Sequence, residues 1–447
     1  MDRRNFLAGM AATAAVTAIP GAGRADAAAM AEVRTASTHS FPPEWAPHDA
    51  VWMGWDDSVT ASPDHARLRV EMIKALSPHV PVHMIVDGDA TTSAITTLLR
   101  DAGLDQGNGD QRVVFHVQDT FDVWTRDCGP LFVSDGRTLE LAAFAWANYG
   151  FPWPYTNPGS LARGALDQEL GRRMGYPMRT SDVVTEGGGL EVNTRTLVTY
   201  RDAMMQRNPG KDLNEIEAEL KRLYGKDQVI WLDRAPITDR VLQGPKVANF
   251  FGWGANGHVD EYVRFVSEDT ILVGEVSEAE RDANALMRLD HEILTENRRQ
   301  LEAARDPDGR RFNVVPMPVP DVRPFLRRRA LTESDFQASP EGYDRSLFYR
   351  DFDVDDEVIE VPAVSYLNFL VTNGVVLSAR YGGEGRPDQL AESDETAAAL
   401  LKQCFPDREI VKIDPLAANW NGGGMHCLTQ QQPRIAGSVS AQEPVAA

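Results

Sequence analysis

Hydrophobic and polar positions along this chain switch period again and again. Residues 50–55 (Ala-Val-Trp-Met-Gly-Trp) form a short apolar, aromatic run that reads as a strand. Leu68, Met72, Ile73 and Leu76 recur at helical spacing within 66–76. Residues 82–86 alternate as a strand, 89–102 read as a helix closed by Gly103, and 113–117 are a further strand. Strand–helix–strand connections pair their strands in parallel.

Beyond residue 120 one pattern recurs four times: a polar motif bearing Gly or Asp, a strand, a turn and a second strand. Trp124-Thr125-Arg126-Asp127 leads into 131–133, turns at Ser134-Asp135-Gly136, and returns through 138–142. Glu186-Gly187-Gly188-Gly189 leads into 190–192, turns at Asn193-Thr194-Arg195, and returns through 196–200. Gly257-His258-Val259-Asp260 leads into 262–266, turns at Ser267-Glu268-Asp269, and returns through 270–273. Ser365-Tyr366-Leu367-Asn368 leads into 369–371, turns at Thr372-Asn373-Gly374, and returns through 375–379. Each turn has residues that tolerate turn geometry.

An amphipathic helix and a third strand follow the last three hairpins. These are 212–224 with 229–232, 277–304 with 314–319, and 390–405 with 410–413. Ser277 and Glu280 offer a capping box for the middle helix. The first hairpin is followed by a helix over 161–173, but no clear strand comes next. The unit is thus β-β-α-β, recurring about every hundred residues or less, without sequence likeness beyond the pattern. Such repetition predicts a closed, pseudo-symmetric α/β ring with the polar motifs converging at its centre.

The stretch Asn421-Gly422-Gly423-Gly424-Met425-His426-Cys427 carries the candidate chemistry. Glycines before a thiol let the backbone approach a ligand closely. The plain alternative is that Cys427 is a small buried hydrophobe. The converging set is then Asp127, Glu186, His258, Asp260, Asn368 and Cys427, with Trp124 nearby. A thiol nucleophile needs a group that takes its proton, and histidine serves as acid and base in turn. Three carboxylates around that pair would suppress the thiolate unless a cation also binds. Guanidinium is planar, always charged and suited to bidentate carboxylate partners. Asp127 and Asp260 can each grip two of its nitrogens, with Trp124 as an apolar or cation–π wall.

His258-x-Asp260 also resembles half a metal site. No second spaced histidine joins it, so no metal is expected. His426 is adjacent to Cys427 and would face the other way on a strand, so it reads as structural. Cys128 and Cys404 read as structural as well. The glycines after Glu186 could be a plain turn; no lysine or helix start follows, as a phosphate loop requires.

The net charge of -21 excludes nucleic acid and anionic membrane as main partners and suits a cationic ligand. The three cysteines have no zinc-site spacing, and their odd number leaves one free or pairing between chains. Arg3-Arg4 precedes an alanine-rich run over 8–20, too short to span a bilayer, and Ala25-Asp26-Ala27 offers a cleavage site. This reads as a twin-arginine export signal over 1–27, making the mature protein periplasmic or secreted. A linker over 28–40, one catalytic domain over 41–436 and a flexible tail over 437–447 follow. The mature chain is expected to have no membrane partner; a homo-oligomer remains open.

Together the motifs resemble the agmatine deiminase and bacterial peptidylarginine deiminase family. They are Glu44-Trp45-x-Pro47-His48, Trp124 to Pro130, Glu186-Gly187-Gly188, Gly257 to Asp260, Ser365 to Phe369 and Gly422 to Gln430, in the family's order over about 41–434. The resemblance implies a pentein fold, a five-fold pseudo-symmetric α/β propeller of ββαβ units. It implies guanidine hydrolysis without metal or cofactor. Cys427 would attack the guanidinium carbon through a thiouronium intermediate, and His258 would protonate departing ammonia and then activate water. Asp127 and Asp260 would hold the guanidinium, Glu186 would orient histidine or substrate, and Asn368 would line the site. The implied reaction is agmatine to N-carbamoylputrescine and ammonia. An arginyl peptide is the second substrate reading, and a periplasmic guanidino-binding protein without turnover is the third. Two segments, 237–256 and 322–356, read as insertions, and Glu261 replaces an asparagine often found there. Loops at a site mouth set specificity.

Overall fold

The sheets among the described residues are small, and four of them start from a hairpin. The computed structural model describes residues 39–104, 112–118, 122–150, 158–240, 246–337 and 348–437. The expected export signal and nearly all of the expected linker and tail lie outside the described residues.

Strands β1 (His48–Trp55), β2 (Val82–Val86) and β3 (Val113–Val117) pair in parallel through helical crossovers Pro63–Leu76 and Asp89–Asp101. Then β4 (Leu131–Ser134) pairs antiparallel with β5 (Leu139–Ala145), which pairs in parallel with β6 (Met178–Val184). The same arrangement holds for β7 (Glu191–Val192), β8 (Thr196–Tyr200) and β9 (Gln228–Leu232). After β10 (Phe250–Trp253), it recurs in β11 (Val263–Phe265), β12 (Thr270–Glu275) and β13 (Asn313–Pro318). After β14 (Arg327–Ala330) and β15 (Glu357–Pro362), it recurs in β16 (Leu370–Thr372), β17 (Val375–Ala379) and β18 (Glu409–Ile413). The last strand, β19 (Thr429–Pro433), pairs antiparallel with β1. The chain's end thereby supplies the missing hairpin partner of its first unit, and five like modules result. This is the expected α/β pentein architecture.

Strands and helices pack through buried aliphatic faces, as in the cluster of Val192, Leu197, Ile216, Leu220 and Leu223. The helix Leu213–Tyr224 starts at a capping box: Asp212 Oδ1 accepts from Glu215 N at 2.9 Å and Glu215 Oε2 accepts from Asp212 N at 2.8 Å. Such a cap is worth about 1 kcal/mol.

Two readings change. The expected single helix over 277–304 is two helices, Glu278–Arg281 and Ala285–Ala303. Asn284 competes with continuation by accepting from Met287 N and capping the second helix. The strand that was not legible after the first hairpin is β6, largely polar and only partly buried, so it carries no apolar signal. The two inserted segments meet in one extra sheet, with β15 parallel to β10 and antiparallel to β14. It has its own core of Phe251, Leu331, Tyr349 and Val358.

The polar motifs occupy one equivalent place, the entry to the first strand of each module. Asp127 precedes β4, Glu186 precedes β7, His258 and Asp260 precede β11, Asn368 precedes β16 and Cys427 precedes β19. Removing residues 429–447 deletes β19 and exposes one edge of β1, so the truncated chain should lose its cooperative calorimetric melting transition. A melt like that of the full-length protein would show that β19 does not close the ring.

Candidate active site

Cys427 is buried in a turn, not on a strand. Asn368 Nδ2 donates to Cys427 Sγ at 3.1 Å, while Asn368 Oδ1 accepts from the backbone N–H of His426 at 3.0 Å and of Cys427 at 3.2 Å. Asn368, expected to line the site for substrate, thus spends its side chain on the thiol and its loop. The approach is close enough to require glycine: a Cβ on Gly423 would lie 2.8 Å from Cys427 Sγ, and one on Gly424 2.7 Å from Asn368 Oδ1.

His258 caps a single turn of 3₁₀ helix, Val259–Glu261, that carries Asp260, and His258, Asp260 and Cys427 each place one side-chain donor atom within 4.8 Å of the others. Cys427 Sγ lies 3.6 Å from Asp260 Oδ2 and 3.6 Å from Glu261 Oε1. His258 sits between two carboxylates, Nδ1 3.7 Å from Asp127 Oδ1 and Nε2 3.5 Å from Glu186 Oε2. Glu186 is fixed in turn by Arg207 Nε at 2.8 Å. Asp127 Oδ1 accepts from Gly188 N at 3.0 Å, and Tyr149 Oη donates to Asp127 Oδ2 at 3.3 Å. Trp124, Asp127, Tyr149, Trp253, Phe348 and Cys427 line one cavity of about 120 Å³.

All these groups are buried, and their protonation follows from which charges face them. Burial pushes the Asp127 carboxyl up to about 7; Asp260 and Glu186 add to this, against His258 and the Gly188 N–H. For His258, burial alone disfavours the imidazolium, but Asp127, Glu186 and Asp260 outweigh it and raise the ring to about 9. Burial acts to raise Asp260 too, yet the His426 hydrogen bond, His258 and Arg264 hold it below the ordinary carboxylate range. The Cys427 thiol is driven well above its usual range by burial and by Asp260, Glu261 and Asp127. Burial, Asp260 and Asp239 do the same to Glu261. The resting site therefore holds a thiol, an imidazolium and an excess of carboxyl groups.

A model described as Porphyromonas-type peptidyl-arginine deiminase matches residues 40–433. The chain belongs to this family. It is 29% identical over 417 residues to the agmatine deiminase of Ectopseudomonas mendocina (strain ymp), covering 89% of this chain and 96% of that one. It is 28% identical over 402 residues to the agmatine deiminase of Pseudomonas aeruginosa (strain UCBPP-PA14), covering 88% and 95%. Among solved structures, an agmatine deiminase of Enterococcus faecalis superposes with a TM-score of 0.65 at 22% identity, covering 89% of this chain and 96% of the other.

Within this deiminase-family chain, Cys427, His258, Asp260 and Asp127 come together directly, Glu186 stands behind His258, and Trp124 forms a wall. His426, expected to face away from Cys427, points the same way: its Nδ1 lies 2.6 Å from Asp260 Oδ2. The two neighbours share a target because Met425 to Leu428 turn, and the alternation of a strand does not apply. Arg207 and Tyr149 were missed altogether. Neither lies in one of the recurring motifs ahead of a hairpin, and only the packed structure brings them in.

Activity that needs Asp127 ionised and His258 protonated has a window set by those two groups. Below about 7 Asp127 gains a proton, and above about 9 His258 loses one. The profile of kcat/KM should be bell-shaped with limbs near these values. A flat profile across pH 6 to 10 (roughly the span of both limbs) would contradict this assignment.

Proposed function

We propose that this protein is a cysteine-dependent amidinohydrolase that removes ammonia from a guanidino group, with agmatine as its first substrate. One observation carries the reading: the thiol of Cys427 lies beside His258 and Asp260 within 4.8 Å in a buried, carboxyl-rich pocket. Asp260 Oδ1 is buried there without a hydrogen-bond partner among the described residues. An anionic hollow of this kind is satisfied by a cation. The deiminase family and the agmatine deiminases it resembles support the same conclusion.

The steps follow from the charges. A guanidinium enters between Asp127 and Asp260 and offsets the negative field that holds the proton on Cys427. The thiol gives up its proton, which leaves in the end with ammonia as ammonium, while Asp260 Oδ2 stays bonded to His426. Sγ attacks the guanidinium carbon. The imidazolium of His258 donates to the departing nitrogen, and ammonia leaves a thiouronium on Cys427. The now neutral His258 takes a proton from water, the water attacks the same carbon, and the ureido product leaves as the thiol is restored. For agmatine the products are N-carbamoylputrescine and ammonia.

Trp253 and Phe348, from the two segments read as insertions, bring aromatic faces to a cavity whose lining includes Asp127. A methylene tail fits between such faces. A neighbouring cavity of about 650 Å³ shares Trp124, Tyr149 and Asn421 with it and is lined by Asp56, Asp122, Arg69 and Arg163. That space favours a second reading, an arginyl peptide with its guanidinium at Cys427, and the twin-arginine signal agrees with a substrate met outside the cytoplasm.

Ammonia release from agmatine should fall at least about a thousandfold in Cys427→Ala. Undiminished turnover in that variant refutes the assignment of the nucleophile. Calorimetric binding of agmatine with no ammonia formed would instead identify a binding protein, and loss of activity on chelation would identify metal-dependent hydrolysis. Trp253→Ala should raise KM for agmatine by about three- to tenfold with little change in kcat, the scale of a lost apolar or cation–π contact. An arginyl peptide with higher kcat/KM than agmatine would make the second reading the correct one.

A further inference from the structure

The two carboxylates assigned to the guanidinium are supported by matching chains of side chains. Asp127 is backed by His258, then Glu186, then Arg207. Asp260 is backed by His426, then Glu44, then Arg264: His426 Nδ1 lies 2.6 Å from Asp260 Oδ2, His426 Nε2 lies 2.7 Å from Glu44 Oε2, and Arg264 Nη2 lies 2.5 Å from the same Glu44 oxygen. Glu44 Oε1 is anchored by Val371 N at 2.7 Å, and Arg264 Nε also reaches Glu191 Oε2 at 3.1 Å.

The two chains are not equivalent. The contacts of His258 exceed hydrogen-bond length, which leaves the ring free to trade a proton with a reacting group. Both contacts of His426 are short. Each needs a proton, and a neutral imidazole brings only one. Burial, Arg126 and Arg264 act against the imidazolium form, so the second proton belongs to the Glu44–His426–Asp260 triplet as a whole. The consequence for Asp260 is geometric: Oδ2 is committed to His426, and Oδ1 is left buried without a partner among the described residues.

We infer that His426, backed by Glu44, is a positioning residue that locks the Asp260 carboxylate so that Oδ1 faces the substrate cation. This rests on the reading of Asp260 as a guanidinium ligand. Its role differs from that of His258: His426 moves no proton to the reacting atoms and acts through binding, in ground state and transition state alike.

Two substitutions separate the links. An asparagine amide reaches the place of Nδ1, and a glutamine amide reaches that of Nε2. His426→Asn therefore keeps the bond to Asp260 and gives up Glu44, whereas His426→Gln does the reverse. With agmatine as the probe, His426→Gln should raise KM about tenfold or more, the scale of one charge-assisted hydrogen bond, while kcat changes far less. His426→Asn should raise KM clearly less than His426→Gln does. Calorimetric binding of agmatine to the same variants in a Cys427→Ala background should show the same order, and this readout stands without turnover. Equal KM values for both variants, the reverse order, or a loss confined to kcat would overturn the inference. Asp260→Asn is the control: if it leaves KM unchanged, the reading of Asp260 itself fails, whereas a raised KM there with normal KM in both His426 variants defeats only the positioning role.

Discussion

A buried thiol surrounded by more carboxyl groups than the protein's own cations can balance is the constraint on which the rest of this structure turns. Asp127, Asp260 and Glu261 all act to keep the proton on Cys427. In a low-dielectric interior such an arrangement is costly unless it is completed by a positive ligand. In the proposed reaction the nucleophile is inactive on its own account, and a guanidinium changes the field at the sulfur by arriving, so the group to be cleaved also arms the group that cleaves it.

The protein's cations stand one step back from the cavity. Arg207 serves Glu186 and Arg264 serves Glu44, both from fully buried positions. They anchor the outer carboxylates, which in turn hold the two histidines. Placing guanidinium groups at the far end of each chain of contacts leaves the inner carboxylates for the substrate's own guanidinium. One such chain has loose contacts around His258 and the other tight contacts around His426, which suits the proposed division of proton transfer and positioning between the two rings.

The ring of modules explains how residues 300 positions apart in the chain, such as Asp127 and Cys427, meet. Each module enters its first strand at the centre, and the backbone there must turn sharply beside other buried groups. A Cβ on Gly188 would lie 2.5 Å from His258 Nδ1, which is why a glycine triplet follows Glu186. The sheet of β10, β15 and β14 sits outside this scheme, and Trp253 of β10 brings an aromatic face to the cavity.

The sequence by itself determined the modules and their motifs. Period-2 runs broken by Asn, Asp and Gly marked the hairpins, and helical spacing marked the crossovers, because local burial patterns and turn chemistry act over a few residues. A glycine within three residues marked Asp127, Glu186, His258, Asp260 and Cys427, because close backbone approach leaves a composition signal. Only the tertiary structure decided what local patterns do not encode. Strand β6 is polar and held by its neighbour β5, so its own residues never announced it. His426 turns toward Asp260 because its segment is a turn between modules, and Arg207 and Tyr149 enter the site from elements that look ordinary alone. Contacts of this kind depend on how separate modules are packed against one another, and that packing is a property of the closed ring.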